Sequence, residues 1–209
     1  MAPLIIKVCG MTEAENIRNV EQLDVDMIGF IFYPNSPRCL CEIPAYLPVR
    51  AKRVGVFVNE SKETILMYAD RFALDYIQLH GSESPGYCRS LRSSGLHLIK
   101  AFSISQSKAW QPFPLTKDYA IITSLMPRHH CMAAPVTSRL ELLHRYSGMT
   151  PFLLSGGINP YSIKAIREFH HPKLAGIDIN SRFETAPGQK DVERIGKFLQ
   201  AIRTGETAG

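Results

Sequence analysis

Phe152-Leu153-Leu154-Ser155-Gly156-Gly157-Ile158-Asn159-Pro160 and, further on, Ala175-Gly176-Ile177-Asp178-Ile179-Asn180-Ser181 are the stretches on which the architecture turns. The first is a short apolar run that ends in a Gly-Gly turn. Asn159 then offers a helix cap and Pro160 a first-turn residue, and a helical pattern continues to Phe169. The second is another short apolar run rich in isoleucine. Strand, glycine turn, helix and strand in that order make one βαβ unit, whose two strands are parallel.

The same unit recurs along the chain. Strand-like runs occur at Leu4–Cys9, Met27–Phe32, Arg53–Val58, Tyr76–His80, His97–Phe102, Tyr119–Ile122, Phe152–Ser155 and Ala175–Ile179. Helical patterns fall between or after them at Glu13–Gln22, Lys62–Phe72, Pro160–Phe169 and Asp191–Ile202, the last with Val192, Ile195, Phe198, Leu199 and Ile202 on one face. Eight apolar strands alternating with helices imply an α/β protein with a parallel sheet buried on both faces. The economical closure is a single (β/α)8 TIM barrel spanning residues 1–209, with an atypical segment around strand 6 and its following loop. An open doubly wound sheet is the competing arrangement. It is disfavoured because no Gly-rich GxGxxG follows the first strand.

The 209 residues are 45% hydrophobic and 21% charged, enough for one sizeable core. No apolar run is long enough to span a bilayer, and Met1–Lys7 has neither a basic start nor a long apolar stretch, so neither a membrane protein nor a secretory leader is expected. The five cysteines show no CxxC spacing, which fits a reducing, cytoplasmic setting. The formal charge of +5 raises the question of nucleic acid, but the basic residues are scattered and no stripe interleaved with aromatics occurs. No nucleic-acid partner is expected.

In such a barrel the chemistry sits at the carboxyl ends of the strands. Those ends carry Cys9-Gly10-Met11-Thr12, Ser36-Pro37-Arg38, His80-Gly81, Ser155-Gly156-Gly157 and Asp178-Ile179-Asn180-Ser181. The Gly-Gly turn and the Asn180-Ser181 end adjoin in a barrel, and their backbone N–H groups suit a phosphate.

These residues resemble the phosphoribosylanthranilate isomerases of tryptophan biosynthesis. The matching stretches are Lys7–Thr12, Gly29–Phe32 with Ser36–Arg38, Val54–Val58, Gln78–Gly81, Lys100-Ala101, Ser155–Ile158, Gly176–Glu184 and Pro187–Asp191, in order and in register over residues 4–105 and 144–200. The resemblance implies an Amadori rearrangement of N-(5-phosphoribosyl)anthranilate to 1-(2-carboxyphenylamino)-1-deoxyribulose 5-phosphate. An acid opens the furanose, and a base removes the C2 proton from the resulting iminium. No cofactor or metal is implied, because the iminium nitrogen is the electron sink. By resemblance Cys9 is the general base, Arg38 and Asp178 contact the substrate, and Gly156, Gly157, Asn180 and Ser181 hold its phosphate. His80 reads equally as a substrate contact or as a structural histidine. A small phosphosugar is the expected partner, bound by a monomer or weak homodimer.

Taken singly, each residue has a plainer reading: Cys9 a packed thiol, Arg38 a surface charge, Asp178 a helix cap, Ser155-Gly156-Gly157 a turn. Their common register is what favours the site. One segment departs from the family. The resemblance expects a general-acid aspartate at the end of strand 6, then a Gly-Gly-Ser/Thr-Gly loop and Phe-Asp-Trp. The chain has Leu125-Met126 at that place and His129-His130-Cys131 beyond, a cluster without metal-ligand spacing. Back-translating 108–142 and sliding the frame by one base recovers, with permitted codons, Phe-Phe-Asp, Gly-Gly-Ser-Gly and Phe-Asp-Trp in order. The aspartate codon falls across Leu125 and Met126, and three missing bases restore the frame before Leu143. Two expectations follow: an ordinary isomerase whose segment 108–142 is misread, or a catalytically impaired phosphosugar-binding relative that lacks the acid.

Overall fold

The computed structural model describes residues 4–103, 119–123, 140, 143, 144 and 146–204. Of segment 108–142, Leu125, Met126, His129, His130 and Cys131 lie outside the described residues. Eight parallel strands close into a barrel: β1 (Ile5–Cys9), β2 (Met27–Ile31), β3 (Lys52–Phe57), β4 (Tyr76–Leu79), β5 (His97–Ser103), β6 (Tyr119–Thr123), β7 (Phe152–Ser155) and β8 (Leu174–Ile179). Each strand pairs with the next, and β8 returns to β1 with Lys7 opposite Asp178. The expected barrel is therefore present, and the open sheet is not.

The helices are α1 (Ala14–Glu21), α2 (Lys62–Arg71), α3 (Pro85–Arg92), α4 (Ile163–Glu168) and α5 (Val192–Thr204). Their starts follow local chemistry. The side chains of Glu13, Ser61 and Ser84 accept backbone N–H groups at the first turns of α1, α2 and α3. Asn159 and Ser162 cap the single 3₁₀ turn before α4 reciprocally. Helix α3 was not among the helical patterns expected from sequence. Between β2 and β3 no helix forms; residues 32–51 cross as irregular chain. The buried Glu21 carboxylate anchors this crossing by accepting from the N–H groups of Val49, Arg50 and Ala51 and from the Tyr46 hydroxyl. After β8 a short hairpin, β9 (Glu184–Ala186) and β10 (Gln189–Lys190), folds back toward the barrel.

Two apolar layers hold the barrel. Outside it, Ile17, Val20, Ile65, Leu91, Ile166, Ile195 and Phe198 pack the helices onto the strands. Inside it, Met27, Val54, Ile99 and Leu153 fill the bottom, flanked by Ile5, Tyr76, Ala101 and Ala175. Strand alternation places Ile5, Lys7 and Cys9 on one face of β1. The interior therefore changes from an apolar floor at Ile5 to charge at Lys7 and a thiol at Cys9. No helix among the described residues is long and apolar enough to cross a membrane.

Candidate active site

Cys9 is the last residue of β1 and is almost wholly buried, 4% exposed. Its register partner on β2 is Gly29. A methyl group at Gly29 would lie 2.8 Å from the Cys9 sulfur and 3.2 Å from Lys7 Nζ, so thiol and ammonium both border the space that glycine leaves open. The chain then turns at Gly10, whose φ of +78° is left-handed and suits glycine. A side chain at Gly10 would strike Arg38 Cδ at 2.8 Å and Asn180 Oδ1 at 2.9 Å. Arg38 and Asn180 thus close on the Cys9-Gly10 turn from the two neighbouring strand ends.

The charged groups of this rim form two linked sets. In the first, Lys7 Nζ donates to Asp178 Oδ1 at 2.9 Å, and the Ser155 hydroxyl donates to Asp178 Oδ2 at 3.2 Å. Lys7 has no exposed surface. Burial works against its charge, but Asp178 and then Cys9 outweigh it and raise its pKa. In the second, Glu184 takes Arg38 through Nε at 2.8 Å and Nη2 at 2.6 Å, and also takes Lys190 Nζ. Lys190 Nζ further donates to Asn180 Oδ1 at 2.7 Å. Burial alone would raise the Glu184 pKa; its bonds to Arg38 and Lys190 bring it below the usual carboxylate value. Burial also lowers the Lys190 pKa despite Glu184. For Cys9, burial dominates and pushes the thiol up, with Lys7 opposing and Asp178 adding to the rise.

The Gly156-Gly157 turn lies beside this set. Gly156 and Gly157 follow β7 with φ of +86° and +73°. Asn180 and Ser181 follow β8, whose Asp178 pairs in register with Ser155. In barrel order β7, β8, β1 and β2 are consecutive, so Gly156, Gly157, Asp178, Asn180, Ser181, Cys9 and Arg38 share one continuous arc at the carboxyl ends. His80 stands apart, after β4. Its Nδ1 accepts from the Gln78 amide at 3.1 Å, and burial lowers the pKa of its ring against the opposing influence of Asp178. The Gln78 side-chain oxygen is buried and has no partner among the described residues.

Sequence reasoning assigned no role to Lys7, Glu184, Lys190 or the Lys100–Glu83 pair. Lys100 Nζ meets Glu83 Oε2 at 2.8 Å and the Gly81 carbonyl at 2.7 Å, pinning the loop that carries His80. The signal for Lys7 was its place two residues before Cys9 on the same strand face. The other partners lie on separate strands and on the loop after β4, which only the closed barrel brings together. Nor does sequence reveal that both Asp178 oxygens and most of the Arg38 fork already hold partners. Among the described residues, no three His, Cys, Asp or Glu side chains gather as a metal site.

The model of the N-(5'phosphoribosyl)anthranilate isomerase family matches residues 6–201. The N-(5'-phosphoribosyl)anthranilate isomerase of Phocaeicola vulgatus is 45% identical over 203 residues, covering 96% of this chain and 98% of the relative. That of Parabacteroides distasonis is 42% identical over 209 residues, covering 95% and 93%. Among solved structures, phosphoribosyl anthranilate isomerase from Thermotoga maritima superposes with a TM-score of 0.80 at 28% identity, covering 96% of this chain and 99% of that one. A phosphoribosyl anthranilate isomerase structure in complex with reduced 1-(o-carboxyphenylamino)-1-deoxyribulose 5-phosphate superposes with a TM-score of 0.76 at 27% identity and the same coverage. Matched from end to end by both sequence and barrel, this chain belongs to the N-(5'-phosphoribosyl)anthranilate isomerase family.

Proposed function

We propose that the chain isomerises N-(5-phosphoribosyl)anthranilate to 1-(2-carboxyphenylamino)-1-deoxyribulose 5-phosphate, with Cys9 as general base. The observation that carries this reading is the single arc holding Cys9, Arg38, Asp178 and the Gly156-Gly157 turn. The substrate phosphate lies against the N–H groups of Gly156, Gly157 and Ser181, with Asn180 beside them. Arg38 Nη1, the part of the fork that Glu184 leaves unbound, receives the anthranilate carboxylate. The sugar carbons then lie between these two anchors, over Cys9.

The chemistry is redox-neutral within one molecule. Protonation of the ring oxygen breaks its bond to C1 and leaves a C1–nitrogen iminium. The Cys9 thiolate takes the C2 proton. The C–H electron pair becomes the C1–C2 double bond, and the π pair of the iminium returns to nitrogen. The enolamine then takes a proton at C1 and releases the proton of its C2 hydroxyl, becoming the C2 ketone. Burial raises the Cys9 thiol and favours its uncharged form. A cationic iminium beside it favours the thiolate, so the reactive form is most populated when the substrate is bound. All the named groups belong to one chain.

Loss of anthranilate fluorescence on turnover provides the assay. The Cys9→Ala variant is expected to keep the fold, keep product-analogue binding and lose roughly 10²–10⁴-fold in kcat. Retention of near-wild-type kcat removes Cys9 from the role of base. For ring opening, we propose that the working enzyme carries the aspartate of the shifted reading frame where this chain has Leu125-Met126.

A further inference from the structure

Lys7 places an ammonium with no exposed surface in the barrel interior, one step above an apolar floor of Met27, Val54, Ile99 and Leu153. An apolar side chain would extend that floor without desolvating a charge. Lys7 points to the same face of β1 as Cys9, two residues away, and both border the gap at Gly29. Asp178 fixes the ammonium from β8, and Ser155 fixes Asp178 from β7.

We propose that Lys7 is a positioning residue of the isomerisation: held in place by Asp178, its buried ammonium lies beneath Cys9 and stabilises the thiolate that takes the C2 proton. This rests on Cys9 being the base. Among the described residues, the remaining charged groups facing Cys9 are Arg38 on the loop after β2, Lys190 on β10 and Asp178 on β8. β2 faces it with Gly29, which carries no charge. Arg38 and Lys190 share the Glu184 carboxylate, which draws both toward the rim and offsets one of their two charges. Lys7 is thus the cation directly under the thiol, and Asp178 is both its tether and its electrostatic counterweight.

The arrangement makes a prediction of opposite signs. Removing the ammonium makes the Cys9 thiolate harder to form. Removing the carboxylate makes it easier, because Lys7 then has only the thiolate as counter-ion. A purely structural pair, broken from either side, has no reason to shift the thiol in opposite directions.

The test is a pH titration of thiolate absorbance near 240 nm in the full chain. In each background the spectrum of the matching Cys9→Ser protein is subtracted, so that only Cys9 is read. Lys7→Gln is expected to move the midpoint up by about one pH unit and Asp178→Asn to move it down by about one, each a tenfold change in thiolate at fixed pH. In the fluorescence assay kcat/KM of Lys7→Gln is expected to fall about tenfold at neutral pH and to recover as pH rises. Unmoved midpoints, or shifts of the same sign, overturn the proposal. Should Lys7→Gln fail to fold, the comparison is Asp178→Asn against Lys7→Gln/Asp178→Asn, in which no carboxylate is left unpaired. The double variant must titrate higher, and equal midpoints overturn the proposal. Failure of the base assignment shows elsewhere, as turnover by Cys9→Ala with the Lys7 and Asp178 shifts intact.

Discussion

At Gly29 a methyl group decides whether the site can exist. The added carbon would meet the Cys9 sulfur at 2.8 Å, Cys9 Cα at 3.1 Å and Lys7 Nζ at 3.2 Å. The Cα belongs to the backbone of β1 and yields little, so the thiol and the ammonium must move instead. Gly29→Ala is expected to cost about 1–3 kcal/mol of stability through overpacking. Its larger expected effect is on rate: displacing the proposed base, Cys9, by a fraction of an ångström to an ångström is expected to lower kcat/KM by about 10²-fold. Gly196 provides the contrast. It lies inside α5, where an added methyl would meet only Leu23 at an ordinary 3.6 Å. Gly196→Ala is expected to stabilise the protein by roughly 0.5–1 kcal/mol and to leave kcat/KM alone. Urea melts and the fluorescence assay on both variants check the pair. Equal loss of activity at the two positions would show that Gly29 has no special relation to Cys9.

At the scale of elements, the loop between β4 and α3 is held by one buried pair. Glu83 Oε2 takes Lys100 from β5, and Glu83 Oε1 takes the N–H groups of Gly81 and of Asn59 after β3. Burial would raise the Glu83 pKa, but Lys100 and the backbone donors hold it below the usual carboxylate value. A lowered folded-state pKa means that this stabilisation is complete above the unfolded value, ordinarily about 4.3, and is lost as pH falls through the lower folded value. Glu83→Gln is expected to cost about 3 kcal/mol at neutral pH, with the gap to wild type closing in acid. Thermal melts from neutral pH to about pH 3 check this; a constant gap would mean that the charge of Glu83 is irrelevant. The strands were legible in the sequence because each is a short run of Val, Ile and Phe between breakers, and observed ends fall close to those read. Helix α3 escaped because Pro85–Arg92 buries only Cys88 and Leu91 and otherwise looks like a polar loop. Its signals, Ser84 as cap and Pro85 in the first turn, were present but local. The hairpin of β9 and β10 escaped for a different reason: it is set by Glu184 and Lys190 reaching Arg38, Asn180 and Asn16 across the rim.

At the scale of the whole molecule, the site is a product of closure. Lys7 and Asp178 are separated by almost the whole chain, and they meet because β8 pairs with β1. Resemblance picked out Cys9, Arg38 and the Gly156-Gly157 turn from local motifs. The ion pairs that organise them depend on which strand ends become neighbours, and no local spacing encodes that. Segment 108–142 bears on the charge of the whole molecule. As written, the chain carries a formal charge of +5, and 108–145 holds Lys108, Lys117, Arg128, Arg139 and Arg145 against Asp118 and Glu141. In the shifted frame the balance of that stretch reverses, and the chain as a whole falls to a net charge of about −1. The protein purified from its native source is therefore expected to focus below neutrality rather than near the sequence pI of 9.0. Its proteolytic peptides are expected to contain Phe-Phe-Asp and Gly-Gly-Ser-Gly, and reads of the gene to show three additional bases between the codons of Lys108 and Leu143. The chain exactly as written, expressed for comparison, should bind the product analogue yet turn over several orders of magnitude more slowly, since the ring-opening acid supplies a proton that Leu125-Met126 does not. Native peptides that match 108–142 as written would reject the shifted frame, and full activity in that same chain would place the acid on another residue.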